Sequence, residues 1–274
     1  MKVNRLGILL LCATVLQAVT IGAQPVTKVA AGERQSLLVK SDGSLWAMGW
    51  NAHGELGDGT TNRINRPKQI VASAVTAIAA GESHSLFLKN DGSLWAMGYN
   101  NFGQLGDGTT NSTNRPEQIV ASGVTAIAAG VYHSLFLKSD GSLWAMGWNG
   151  NGQLGDGTYN NTNRPEQIVA SGVTAIAAGE RQSLFLKSDG SLWGMGWNGH
   201  GQLGDGTYNN TNRPEQIVAS GVTAIAAGES HSLFLKNDGS LWGMGANFTG
   251  ALGDGTNKAT NRPQQIVAGP PGYN

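Results

Sequence analysis

From Val26 to Val267 the chain alternates brief apolar segments with polar, glycine-containing connections, and no stretch carries the 3.6-residue spacing of an amphipathic helix. One copy of the pattern serves as the type. Val124-Thr125-Ala126-Ile127-Ala128-Ala129 is short, rich in small and β-branched residues and closed by Gly130, which predicts a tightly packed strand near an axis. Ser134 to Lys138 reads as a second strand, Ser139-Asp140-Gly141 as a hairpin turn, and Ser142 to Gly147 as the returning strand. Glu166 to Val169, after Pro165, predicts a brief fourth strand.

The whole pattern recurs. Leu56-Gly57-Asp58-Gly59-Thr60 returns at Leu105, Leu154, Leu203 and Leu252, a constant spacing of 49 residues. A four-stranded unit of this length cannot bury its apolar face alone, so neighbouring copies must stack. The fold class is therefore all-β, a β-propeller of five repeats at about 26–74, 75–123, 124–172, 173–221 and 222–269, closed or as a partial ring. The pattern leaves one ambiguity of phase. Val26 to Ala31 either opens the first blade or completes the last one and locks the ring.

Outside the array, Lys2 and Arg5 precede an apolar run from Leu6 to Ile21, then Gly22-Ala23 and Gln24. This is the layout of a secretory signal over residues 1–23, with mature chain from about residue 24 to 274, secreted or periplasmic and free of the membrane after cleavage. The single cysteine, Cys12, falls in that leader, so the mature domain has no disulfide. Eighteen Lys and Arg balance eighteen Asp and Glu without a basic run, which excludes binding through nucleic-acid phosphates.

The ordered motifs Gly81-Glu82-Ser83-His84-Ser85-Leu86, Asp91-Gly92-Ser93-Leu94-Trp95, Gly98-Tyr99-Asn100 and Gly103-Gln104-Leu105-Gly106 resemble the repeat of the regulator of chromosome condensation (RCC1) family. Together with the leader, they make the chain resemble a secreted, bacterial-type member. The resemblance implies a propeller, seven-bladed in family members of known fold, with a partner-binding face at the loop after the strand-closing glycine. It also implies guanine-nucleotide exchange for a small GTPase. The export signal and the unbroken 49-residue spacing, which leaves no room for an inserted wedge, point away from that activity.

Differences among near-identical copies locate the candidate site. One variable patch follows the strand-closing glycine and contains Arg34, Ser83, Val131, Tyr132, Arg181 and Ser230; the other follows the third strand, at Trp50 to His53, Tyr99 to Phe102, Trp148 to Asn151, Trp197 to His200 and Ala246 to Thr249, with Trp50, Tyr99, Trp148, Trp197 and His200 as its candidate contacts. Flat aromatics on loops of a rigid scaffold suit a non-enzymatic binding module for a protein or cell-surface partner. A carbohydrate-binding propeller lectin is the alternative, because tryptophan faces stack on sugars; drift in exposed loops, with the aromatics packing between blades, is the bland one.

No constellation supports catalysis or a cofactor. His84, His133 and His231 share one repeat position, but Gln35 and Gln182 occupy it in the other copies, which suits a structural hydrogen bond better than a metal. Ser83-His84 and Ser230-His231 are adjacent in extended chain and cannot form a nucleophile–base pair. Asp58, Asp107, Asp156, Asp205 and Asp254 recur with Arg66, Arg115, Arg164, Arg213 and Arg262, an arrangement in which each arginine is expected to staple its own loop to the aspartate. Trp46, Trp95, Trp144, Trp193 and Trp242 read as inter-blade core.

Overall fold

A computed structural model describes residues 24–270; the expected signal segment lies outside them. Five four-stranded antiparallel sheets follow one another along the chain. The first contains β1 (Val26–Ala31), β2 (Gln35–Lys40), β3 (Leu45–Gly49) and β4 (Ile64–Val71), and the second β5 (Val75–Ala80), β6 (His84–Lys89), β7 (Leu94–Gly98) and β8 (Thr113–Val120). The third contains β9 (Val124–Ala129), β10 (His133–Lys138), β11 (Leu143–Gly147) and β12 (Thr162–Val169), and the fourth β13 (Val173–Ala178), β14 (Gln182–Lys187), β15 (Leu192–Gly196) and β16 (Thr211–Val218). The fifth is built from β17 (Val222–Ala227), β18 (His231–Lys236), β19 (Leu241–Gly245) and β20 (Thr260–Val267). Among the described residues no helix is long and apolar enough to cross a membrane.

Each sheet draws its four strands from one repeat, which resolves the phase: β1 opens the first blade and does not complete the last. The fourth strand is longer than the sequence suggests and runs through its proline, as in Thr162–Val169 with Pro165 inside. Proline is tolerated there because the strand is the outer edge of its sheet and its missing N–H faces no ladder partner. In the hairpin between β10 and β11, Gly141 takes a φ of +76°, and Asp140 accepts the backbone N–H of Ser142 at 2.8 Å.

The core lies between blades. Phe136 is fully buried among Leu86, Leu88, Leu94 and Leu105 of the preceding blade, beside Met146 from its own sheet. Phe87, Phe185 and Phe234 occupy the equivalent seams. Burying a phenylalanine contributes about 1.5–3 kcal/mol, so repetition of one seam supplies much of the stability. Trp144 flanks this core as a half-buried plate. It stacks on Phe136 at 6.0 Å and 6°, donates its Nε1–H to Ser142 Oγ at 2.8 Å and carries Lys138 over its ring at 4.2 Å.

A polar seam runs beside the apolar one. His84 Nε2 meets Ser134 Oγ of the next blade at 3.0 Å, while that hydroxyl donates to Gln104 O at 2.8 Å. The serine proton is thereby committed, so the imidazole donates from Nε2 and is neutral. Burial pushes His84 down to about 4, and burial together with the nearby His84 pushes His133 down to about 3. Where glutamine replaces histidine, Gln35 Nε2 donates to Gly81 O at 3.0 Å and Gln182 Nε2 to Gly228 O at 2.9 Å. In the first four blades the histidine position is thus a structural hydrogen bond to the next blade.

The recurrent Asp and Arg do not staple one another. Asp156 accepts the backbone N–H and hydroxyl of Thr158 and an N–H of the buried Asn149. Arg164 reaches instead to the preceding blade, where a methyl group added at Gly108 would lie 2.8 Å from its Nη2, and Gly108 N–H donates to Asn163 O at 2.8 Å. The expectation failed because each aspartate is already held by the asparagine and threonine of its own connection, while the arginine packs on the glycine turn of the preceding blade.

These seams join blades one to two, two to three, three to four and four to five, and none joins five back to one among the described residues. The ring is therefore a five-blade arc. Val29 on its leading face is 77% exposed and Leu235 on its trailing face 41% exposed, where the equivalent Ile127 of the middle blade is half-buried and Leu137 buried.

Candidate functional site

Antiparallel order places the loop between the first and second strands of a blade at the same end as the loop after the third. Both variable patches of all five repeats consequently share one face. Position is fixed by backbone contact: Gly147 has a φ of +110°, and a Cβ there would lie 2.5 Å from Tyr132 O, so the two loops of the third blade touch directly. Trp148 N–H donates to Tyr132 O at 2.8 Å, and Tyr99 N–H to Ser83 O and Trp197 N–H to Arg181 O repeat the link.

On that face the side chains form a continuous arc across blades. His53 packs edge-on against Tyr99 at 4.8 Å, Tyr99 reaches Phe102 and Tyr132 at 6.1 Å each, and Phe102 meets Tyr132 at 5.1 Å. Trp148 follows at 6.4 Å from Tyr132 and 6.3 Å from Phe102. Arg181 bridges Trp148 and Trp197, at 5.6 and 5.9 Å from their ring centres, and is fixed by Glu180 at 2.9 Å. Trp197 meets His200 at 5.0 Å, and His200 meets Phe248 at 5.3 Å.

Tyr99, Tyr132, Trp148, Arg181, Trp197 and His200 are thus brought together. The remaining candidates stand apart from the arc. Trp50 is 42% exposed and makes no aromatic pair among the described residues, and Arg34 is turned to Glu33 at 3.0 Å. Ser83 and Ser230 are half-buried, and Val131 lines the central cavity. His53, Phe102 and Phe248 lie inside the variable stretches Trp50 to His53, Tyr99 to Phe102 and Ala246 to Thr249, but sequence reasoning did not single them out as members. Two of them have a legible signal, since His53, Phe102 and His200 share a repeat position; Phe248 does not.

Inside the arc, around the axis, lies a cavity of about 540 Å³ walled by the alanines and glycines that close each inner strand and rimmed by Glu33, Glu82, Glu180 and Glu229. Burial raises Glu82 above its ordinary value, and the carboxylates of Glu33 and Glu180 add to that against the hydrogen bond from Tyr132 Oη, 3.3 Å away. Burial, then the Glu82 charge, likewise raises Tyr132. The face therefore combines an aromatic arc with an acidic centre.

Residues 6–273 match the RCC1-like domain model. The chain belongs to the RCC1-like family. Among solved structures it is similar to human WBSCR16, at 26% identity and a TM-score of 0.78 over 89% of this chain and 67% of that one. It is also similar to Prp20p of Saccharomyces cerevisiae, at 26% identity and a TM-score of 0.77 over 88% of this chain and 63% of that one. Yeast RCC1 (Prp20) bound to Kap60 shows the same fold at 24% identity and a TM-score of 0.79. The RCC1-like arc described here spans 62–67% of the length of these structures. No curated protein sequence is similar enough to count as a relative.

Proposed function

We propose that this RCC1-like arc is an exported, non-enzymatic binding module that recognises a protein or cell-surface partner through its variable face. The observation that carries the reading is the run of rings from His53 to Phe248 across all five blades, joined between Trp148 and Trp197 by the Arg181 guanidinium. Aromatic side chains supply large contact area at low conformational cost, and their mutual packing holds them ready before a partner arrives. Solved relatives are consistent with a protein partner: one Prp20 structure holds Kap60, and another concerns binding to Gsp1p and histones. Arg181 lies over both Trp148 and Trp197, a position that competes with sugar stacking.

The test compares the wild-type domain with Tyr132→Ala/Trp148→Ala/Arg181→Ala as baits against the native extracellular fraction. A protein retained by the wild type and lost by a variant of similar melting temperature supports the reading. Equal retention by both overturns it. Glycan-array binding lost on changing Trp148 and Trp197 would establish a lectin instead, and accelerated nucleotide release from a small GTPase would establish an exchange factor.

A further inference from the structure

The last blade departs from the other four where the arc runs out. The position held by Trp50, Tyr99, Trp148 and Trp197 is Ala246 there, and the position held by Glu55, Gln104, Gln153 and Gln202 is Ala251. The first exchange removes side-chain volume from the rim, and the second removes it from beneath, where Glu55, Gln104, Gln153 and Gln202 are fully buried in the other blades. The two exchanges leave a pocket of about 390 Å³ lined by His200, Glu229, Ser230, His231, Ala246 and Phe248. Phe248 is 62% exposed and is held edge-on by His200.

Its charge is distinctive as well. Of the four glutamates around the axis, Glu33 is answered by Arg34, Glu82 by Tyr132 and Glu180 by Arg181. Glu229 is followed by Ser230 in place of an arginine and makes no ion pair or side-chain hydrogen bond among the described residues. It lines both the central cavity and this pocket, and no lysine or arginine lines either. An accessible carboxylate, a hydroxyl and an exposed aromatic ring around one hollow are the complement of a planar cation.

We infer that this pocket receives an arginine side chain of the partner, with Glu229 accepting from the guanidinium and Phe248 stacking on it. The inference deepens the binding role proposed above and rests on it for the partner, although the pocket itself is testable without one. The probes are N-acetyl-arginine methylamide and its neutral isostere N-acetyl-citrulline methylamide, titrated into the whole domain and followed by NMR at Ser230 and His231. The arginine probe is expected to bind at least ~10-fold more tightly than the citrulline probe, as loss of a charge-assisted contact implies. Glu229→Gln should bring arginine down to the citrulline level, and Ala246→Trp, which restores the residue of three other copies, should abolish binding of both. Equal binding of the two probes, or arginine binding that survives Ala246→Trp, would overturn the assignment. Loss of partner capture in the Tyr132/Trp148/Arg181 variant with an intact arginine titration would leave the pocket standing and strike only at the arc.

Discussion

The seams between blades and the rim of the variable face are built from the same repeat, yet they obey opposite rules. At a seam every copy presents nearly the same residues: Phe136, Phe185 and Phe234 enter equivalent leucine clusters, and histidine or glutamine crosses to the neighbouring blade. On the rim the equivalent tips read Trp50, Tyr99, Trp148, Trp197 and Ala246. A seam residue must fit the blade on each side of it, so one substitution disturbs packing that a close-packed interior cannot absorb. A rim residue touches only other tips. The variation is therefore concentrated where it leaves the scaffold intact, which is what a recognition surface requires.

The contrast is broken most directly by Phe136→Ala, which should cost about 3–5 kcal/mol in denaturant unfolding because it empties a sealed seam. If a rim variant proved as damaging, the division would be wrong. Acid acts on the same seams with an effect of similar size. The folded His84 and His133 sit at about 4 and about 3, whereas an unfolded imidazole titrates near 6.5. Between those values only the unfolded chain gains protons, so stability is full above pH ~6.5 and declines as the pH falls, by about 3 kcal/mol per imidazole by pH ~4. His84→Gln/His133→Gln, copying Gln35 and Gln182, should flatten the melting temperature against pH between ~6.5 and ~4.

Smaller effects sharpen the rim side. Trp148→Ala should cost only about 1 kcal/mol of stability, as for loss of an aromatic pair, while weakening partner binding by ~10-fold or more in titration calorimetry. Arg164→Ala, which strips an exposed arginine from the preceding loop, should lower stability by about 0.5 kcal/mol with no effect on binding. A large binding defect from Arg164→Ala would move the interface to the outer edge of the arc.

Strand order and blade identity were legible because the repeat spells them locally: Val124 to Ala129 is a strand with those same limits, and Asp140-Gly141 turns the hairpin between β10 and β11. What escaped was the neighbour. Arg164 finds its contact on Gly108, a whole repeat earlier, and Pro165 is admitted to β12 only because that strand is an edge. The same holds for the site. Tyr132 and Trp148 were identified by their variation, but their junction with Phe102 of the previous blade depends on radial stacking that no single repeat encodes. Phe248 stands at a position that is glycine in the two preceding copies, so its repeat phase gave no hint.

Since no sheet borrows a strand from a distant part of the chain, an in-frame genetic duplication or deletion of one repeat would add or remove a complete blade and leave no half-built sheet behind. Each such event would also lengthen or shorten the row of outward-facing tips by one place. Copy number in the gene would then set the reach of the binding surface, while point changes at the tips set its chemistry.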